Sequence, residues 1–171
     1  IIDSDVVVTN SRGPHTEPMA DHGIAMILTF AHKLRDLWED QKQRKWDLSF
    51  YDEKMVELNG STMGILGVGG IGSAVARRAA AFGIDVYGVD IDENAGGPGV
   101  KEIWGPDRLD ELLKISDWFV VSVPYTAETD NLLAKNHLQN LKQGGRLIVL
   151  SRGGIVNQSD VLDLLENGPI S

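Results

Sequence analysis

Three glycines and one aspartate in this chain have the spacing of a turn that binds phosphate groups. The motif is Gly67-x-Gly69-x-x-Gly72, and Asp90 follows it at the distance expected of a ribose-binding acid. Gly67 permits a tight turn, Gly69 lets the backbone approach a pyrophosphate, and Gly72 lets a helix pack closely. Free N–H groups at the helix start then face the phosphates. The alternative is a structural turn in some other α/β protein.

The residues around the motif predict the elements that must position it. Residues 63–66 are an apolar run that predicts a buried strand, and the alanine-rich residues 71–82 predict a helix. Residues 85–89 predict a second strand, which ends at Asp90. Strand, glycines, helix and acid together predict a dinucleotide-binding βαβ unit.

The charge near Asp90 predicts which dinucleotide is bound. Its carboxylate can accept hydrogen bonds from both hydroxyls of an adenosine ribose, and it repels a 2′-phosphate. Asp92 adds a second negative charge, and residues 91–100 contain no arginine or lysine. These features favour NAD over NADP as the cofactor. The alternative role for Asp90 is the capping of a turn.

The rest of the chain alternates strands with helices. Their order predicts an α/β fold built on a doubly wound parallel sheet of the Rossmann type. A flexible turn is expected over residues 94–99, and Asp107 is expected to cap the helix that follows it. The predicted strands cover 100–103, 118–123 and 146–150, and the predicted helices cover 107–115, 129–133, 135–141 and 160–166.

The N-terminal region predicts a strand over 5–10, a loop, and a long helix. Apolar residues recur at helical spacing from Pro18 to about Trp46, with Thr16 as the expected cap. The second half of this helix is highly charged and is expected to project into solvent or onto a partner.

Composition bounds the class of protein. The 171 residues are 42% hydrophobic and 24% charged, which suits one sizeable globular domain. The net charge of −9 argues against a nucleic-acid partner. No apolar run approaches about 20 residues, so no membrane span is expected. The N-terminus has neither an initiating methionine nor a signal-peptide pattern, which predicts a fragment.

No metal site is predicted. Asp90-x-Asp92-x-Asn94 begins like a calcium loop, but Ala95 and Lys101 stand where that loop requires Gly and Glu. The chain has no cysteine, which excludes thiolate ligands and disulfides. The absence of cysteine also fits a reducing compartment, and a cytoplasmic location is expected.

Four motifs together resemble one family. The glycine motif, Asp90, Val-Pro-Tyr-Thr-Ala-Glu-Thr at 123–129 and Leu-Ser-Arg-Gly-Gly-Ile-Val at 150–156 have the order and spacing of the D-isomer-specific 2-hydroxyacid dehydrogenases. The chain resembles their NAD-binding domain over nearly its whole length, truncated before its last strands. The resemblance implies that residues 1–15 end the substrate domain and cross over, and that 16–171 form the NAD-binding domain.

The resemblance implies hydride transfer between NAD and a 2-hydroxy or 2-keto acid, with Arg152 as the catalytic arginine. A guanidinium can hold a carboxylate and polarise the adjacent keto oxygen. Without the resemblance, Arg152 is an ordinary surface residue. The other implied contacts are all to the cofactor: pyrophosphate at Gly70 and Ile71, adenine at Val123 and Pro124, a cofactor-facing side chain at Thr129, and the nicotinamide ribose at Leu150 and Ser151.

The acid/base histidine of the family has no counterpart here. It follows the arginine segment together with a glutamate, and the chain stops at Ser171 before that point. His22, His32 and His137 do not match, although His15, in a loop, can approach a substrate. We therefore expect weak binding of NAD(H) and no useful turnover by this chain alone. Asn157, where the family usually has Asp, affects only a local turn contact.

The predicted long helix corresponds to a two-fold interface in the family, which implies a homodimer through residues 18–46. The alternative is a monomer whose apolar stripe packs on its own sheet. An NAD(H)-sensing protein resembling transcriptional corepressors is a second possible function, and an S-adenosylmethionine enzyme is a third. The segment Ser151-Arg152-Gly153 counts against the third.

Overall fold

A computed structural model describes residues 4–7, 9, 11 and 13–171. The strand predicted over 5–10 falls partly outside these residues, since 8 and 10 are not described. Residues 5–7 and 9 lie in no strand or helix, so that prediction is wrong for the part that can be compared. None of the described helices is long and apolar enough to cross a membrane.

Five parallel strands form the central sheet, in the order β3-β2-β1-β4-β5. The chain runs outward from β1 to β3 and then returns past β1 to β4 and β5. This reversal creates a switch point between β1 and β4 and confirms the doubly wound parallel sheet. The strands are β1 Thr62–Leu66, β2 Asp85–Val89, β3 Val100–Trp104, β4 Trp118–Val121 and β5 Arg146–Val149.

Helices cover both faces of the sheet. Two short 3₁₀ turns, Pro106–Arg108 and Gly153–Ile155, lie in connections between strands and helices. The helices are α1 Thr16–Ala31, α2 Leu34–Gln43, α3 Leu48–Lys54, α4 Gly70–Ala81, α5 Leu109–Ile115, α6 Lys135–Leu138 and α7 Gln158–Asn167.

Alternating side chains of the strands build two apolar layers. In β4, Trp118 and Val120 face α1 and α4, whereas Phe119 and Val121 face the layer of α5, α6 and α7. All four residues of β4 are buried, as expected of a central parallel strand. The strand predicted over 118–123 is two residues shorter in the structure. It ends at Val121, and Ser122 and Val123 begin the loop that follows it.

The long N-terminal helix is broken into two. Lys33 adopts a left-handed backbone conformation with φ of 52°, which separates α1 from α2. The apolar stripe of α1 is buried in the core of this chain, as in the monomer alternative; its buried members are Ala20, Gly23, Ile24, Ile27 and Ala31. The second half of the predicted helix, which is α2, projects outward as predicted, because it has no buried residue.

Three local predictions are wrong. Thr16 is the first residue of α1 and makes no capping bond, and Asp107 lies in a 3₁₀ turn before α5 without capping it. Residues 129–133 form no helix: 129–131 are a turn, and Leu133 makes an isolated bridge to Val156. At α7 the cap is Asn157, whose side chain accepts a hydrogen bond from the Asp160 N–H at 3.1 Å. The amide oxygen of Asn157 therefore makes the local turn contact that the replacement of the family's usual Asp was expected to affect.

Ion pairs fix the start of α1 against α4. Arg78 donates to Glu17 at 2.6 Å and to Asp21 at 2.7 Å, and Arg77 donates to Glu17 at 2.9 Å. The hydrogen bonds from Arg78 and Arg77 lower the pKa of Glu17. The first turn of α1 is therefore held against the second half of α4.

Gly64→Ala is expected to lower the free energy of unfolding by about 2 kcal/mol, as overpacking does. An added methyl group there overlaps the Ser116 hydroxyl and lies 2.9 Å from Leu112 Cγ. Urea unfolding followed by circular dichroism measures the change. The control is Gly97→Ala, whose methyl has no neighbour closer than 3.9 Å and whose effect should stay within about 0.5 kcal/mol. Equal midpoints for Gly64→Ala and the wild type would contradict this packing.

Candidate functional site

An open cleft of about 1180 Å³ lies at the carboxyl ends of β1, β4 and β5. This edge, at the switch point of a parallel sheet, is where ligands bind in doubly wound folds. Eight of the residues named from sequence line the cleft: Gly69, Gly70, Ile71, Val123, Pro124, Leu150, Ser151 and Arg152. Four others do not line it: Gly67, Gly72, Asp90 and Thr129.

Gly67 and Gly72 shape the turn from beneath the cleft. Gly67 has φ of 89°, and a Cβ there would lie 2.7 Å from Val123 Cγ1. A Cβ at Gly72 would overlap the carbonyl oxygen of Gly67. Ser122 Oγ donates to that same oxygen at 2.6 Å, which ties the turn to the end of β4. Both glycines are therefore sites of close backbone approach.

Gly69 and Gly70 face the cleft at the start of α4. A Cβ at Gly69 would meet nothing within 4 Å, whereas one at Gly70 would lie 3.2 Å from Thr16 Oγ1. The first turn of α4 contains no acidic residue. Because the first N–H groups of a helix have no intrahelical partner, this end of α4 offers donors and a positive partial charge to an anion.

Asp90 lies half-buried after β2, beside the glycine turn. Its Oδ2 accepts from the Val68 N–H at 2.7 Å and its Oδ1 from the Asp92 N–H at 3.0 Å. Asp90 therefore caps a turn, as the alternative role supposed, and also fixes the glycine turn. Each carboxylate oxygen has a second lone pair, so the carboxylate retains the capacity to accept a ribose hydroxyl.

The segment after β5 carries Arg152 into the cleft. Ser151 Oγ donates to the Val121 carbonyl at 3.0 Å, which fixes the end of β5 against β4. Arg152 is exposed and precedes the 3₁₀ turn Gly153–Ile155. Among the described residues its guanidinium makes no hydrogen bond or ion pair. Its donors are therefore available to a ligand.

Thr129 lies in the loop beside the cleft and closes that loop. Its hydroxyl donates to the Pro124 carbonyl at 2.7 Å and accepts from the Thr126 N–H at 2.8 Å. These bonds occupy the hydroxyl within the chain. A contact of this side chain with a ligand stays a prediction.

Five lining residues were not predicted from sequence: Gly13, Thr16, Ser122, Tyr125 and Gly154. Tyr125 and Gly154 belong to motifs that were noted, but only tertiary packing brings these two motifs together. None of the described residues that line the cleft is a histidine. His137 lies elsewhere, with its Nδ1 2.6 Å from Asp110 Oδ1. No group of three or more potential metal ligands occurs in the part of the chain that the structure describes.

Comparison with known proteins gives consistent relatives. The family "D-isomer specific 2-hydroxyacid dehydrogenase, NAD binding domain" matches residues 24–171. D-3-phosphoglycerate dehydrogenase of Bacillus subtilis is 36% identical, over 97% of this chain and 31% of that protein. Glyoxylate reductase of Korarchaeum cryptofilum is 31% identical, over 97% of this chain and 50% of that protein.

Solved structures give the same result. The NAD-dependent formate dehydrogenase of Staphylococcus aureus, in complex with NAD, superimposes with a TM-score of 0.81 at 30% identity. That match covers 92% of this chain and 46% of the other. The TT0316 protein of Thermus thermophilus has a TM-score of 0.82 at 30% identity and is covered to 50%.

The chain spans 31% to 50% of the length of these relatives. None of the four is named as a corepressor, so they give the second function no support. The match over 24–171 includes the glycine turn, Asp90 and Arg152. The chain therefore belongs to the D-isomer specific 2-hydroxyacid dehydrogenases, as a member of their NAD binding domain family.

Proposed function

We propose that the cleft binds NAD(H), and that a protein containing this domain transfers hydride between the cofactor and a D-2-hydroxy acid or its 2-keto acid. The observation that carries the proposal is the convergence of two features in one cleft. One is the start of α4, with Gly69 and Gly70, and the other is Arg152, which has no partner among the residues that the structure describes. An anion-binding helix end and a free guanidinium suit a dinucleotide and a carboxylate side by side.

The order of the strands supports an orientation for the cofactor. The first N–H groups of α4 would hold the pyrophosphate, Asp90 after β2 would hold the adenosine ribose, and Val123 and Pro124 after β4 would border the adenine. The segment after β5, with Ser151 and Arg152, would then face the nicotinamide half.

In this account Arg152 holds the substrate carboxylate and polarises the adjacent keto oxygen. Bound NADH supplies the hydride, which arrives at the keto carbon while a proton must reach the oxygen. An arginine is a poor proton donor at neutral pH, because its guanidinium stays charged. The described lining of the cleft offers no histidine for this step, so we propose that the 171-residue chain has no useful turnover by itself.

The chain is expected to bind NADH at least about tenfold more tightly than NADPH, because Asp90 and Asp92 repel a 2′-phosphate. Titration followed by protein fluorescence measures both dissociation constants. Asp90→Asn should weaken NADH binding about tenfold and reduce the ratio of the NADPH dissociation constant to the NADH dissociation constant. Asp92→Asn removes the same charge two residues further on and should change the NADH dissociation constant less than about threefold. Tighter binding of NADPH would refute the assigned role of Asp90.

With NADH and pyruvate, the simplest 2-keto acid with a side chain, the chain should form a ternary complex without oxidising NADH. Arg152→Leu is expected to weaken pyruvate binding at least about tenfold, because a charge-assisted bidentate contact is lost. Calorimetry measures the binding, and absorbance at the NADH band measures turnover. The matched control is Lys114→Leu, an exposed cation on α5 outside the cleft and outside α2, which should leave binding unchanged. Steady oxidation of NADH by the wild type would disprove the predicted inactivity.

We also propose a homodimer, through the surface of α2 and the chain that follows it. Large apolar side chains are exposed among the charged ones on this surface: Trp38 and Trp46 are 66% and 81% exposed, and Leu34 and Leu48 are also exposed. A groove of about 510 Å³ passes between Trp38 and Tyr51. Contiguous exposed apolar surface of this kind is typical of an interface. The apolar stripe of α1 is not part of the proposed interface, because it is buried within the chain.

Sedimentation equilibrium is expected to give a mass near twice that of one chain. Trp38→Glu should give a monomer, because a charge is placed in an apolar contact. Leu162→Glu, at an equally exposed position on α7, is the matched control and should stay dimeric. A wild-type mass near that of one chain would exclude the dimer.

Two further predictions concern the whole protein. A cytoplasmic location suits a chain without cysteine. A domain boundary near residue 15 suits the start of α1 at Thr16, since α1 packs on α4 within the NAD-binding unit.

A further inference from the structure

Thr16 is a polar residue of the cleft for which the sequence predicted only a capping role. It is the first residue of α1, is half-buried, and lines the cleft together with Gly69 and Gly70. The N-cap of α1 is His15, and no side chain caps this helix, so α1 begins without using the Thr16 hydroxyl. Among the residues that the structure describes, that hydroxyl has no hydrogen-bond partner. Its O–H is therefore an unused donor in the cleft.

The hydroxyl lies close to the first residue of α4. A Cβ added at Gly70 would lie 3.2 Å from Thr16 Oγ1 and 3.8 Å from Thr16 Cγ2. The Thr16 side chain therefore borders the first turn of α4, whose N–H groups have no intrahelical partner. A group that binds these N–H donors is also a neighbour of the Thr16 hydroxyl.

Packing of α1 fixes the position of Thr16. In the first turn of the helix, Glu17 accepts a hydrogen bond of 2.6 Å from Arg78 on α4. Further along, a Cβ at Gly23 would lie 2.9 Å from Leu150 Cδ1, so α1 also packs closely on the residue that follows β5. The β-branched side chain of Thr16 has a restricted first torsion. The hydroxyl is thus held beside α4 before a ligand arrives, which lowers the entropy cost of binding.

The charges around Thr16 suit an anion. Glu17 is the acidic residue in the first turn of α1, but its carboxylate is occupied by hydrogen bonds from Arg77 and Arg78. The first turn of α4 contains no acidic residue, and its N–H groups carry a positive partial charge. A phosphate group at this position can accept hydrogen bonds from the backbone of α4 and from the hydroxyl of Thr16.

We propose that the Thr16 hydroxyl donates a hydrogen bond to the pyrophosphate of NAD(H), so that α1 and α4 hold this group together. This inference rests on the proposed binding of NAD(H) in the cleft. The glycine motif supplies backbone donors, whereas Thr16 supplies a side-chain donor from a helix that precedes the βαβ unit. A hydrogen bond to a charged phosphate oxygen is stronger than one between neutral groups, so a single hydroxyl contributes measurably to affinity.

Calorimetric titration with NADH and with ADP tests the inference, because ADP has a diphosphate but neither the nicotinamide nor its ribose. Thr16→Val keeps the shape of the side chain without the hydroxyl and should weaken the binding of both ligands about tenfold. Thr16→Ser keeps the hydroxyl and should stay within about threefold of the wild type. The matched control is Thr29→Val, on the same helix outside the cleft, where the hydroxyl donates to the Ala25 carbonyl at 2.7 Å. It should change neither dissociation constant.

The ³¹P resonances of bound NADH report on the contact directly. At saturating NADH they should differ between the wild type and Thr16→Val and coincide between the wild type and Thr29→Val. Thermal unfolding shows whether each variant is folded, and Thr16→Ala is a second variant that should show the same loss of binding. Unchanged NADH binding by folded Thr16→Val, or a loss for NADH but not for ADP, would overturn the role of Thr16 alone. Failure of the wild type to bind either ligand would overturn the proposed function and this inference with it.

Discussion

The close approach of α4 to β1 is the constraint on which the site depends. Only a glycine at position 72 leaves room for the carbonyl oxygen of Gly67, and only the left-handed turn at Gly67 directs the chain from the strand into the helix so sharply. The consequence is that the first turn of α4 opens into the cleft at the switch point of the sheet. Ser122 and Asp90 then hold the turn from β4 and β2, through bonds of 2.6 Å and 2.7 Å.

Charged residues are distributed unevenly around this turn, so the cleft has an acidic side and a basic side. Asp90 and Asp92 follow β2, whereas Arg152 follows β5 on the opposite side. A dinucleotide with its phosphates on α4 would lie between the two. The acidic side suits ribose hydroxyls, and the basic side suits a substrate carboxylate. The cation at the substrate side is unpaired among the described residues, so its charge is available when a ligand arrives.

The elements with local signals could be predicted from sequence, and those set by tertiary packing could not. The strands of the sheet and α4 follow apolar runs and the glycine motif, and their order gave the fold. The break at Lys33 has no local signal, because a lysine seldom adopts a left-handed conformation and the apolar spacing continues past it. The contact of Tyr125 with Gly154 joins two loops that are distant in sequence, so no spacing rule could find it. Asp90 was named from its spacing after the glycine motif, whereas its bond to Val68 joins residues 22 apart and appeared only in the structure.

The central claim is that one cleft, formed by the glycine turn and the Arg152 segment, holds NAD(H). Backbone amide chemical shifts of the ¹⁵N-labelled chain, recorded with and without NADH, test it most directly. The account predicts large shift changes at Gly69, Gly70, Ile71 and Arg152, and none along α2. Changes confined to α2, or no changes at any amide under saturating NADH, would contradict it.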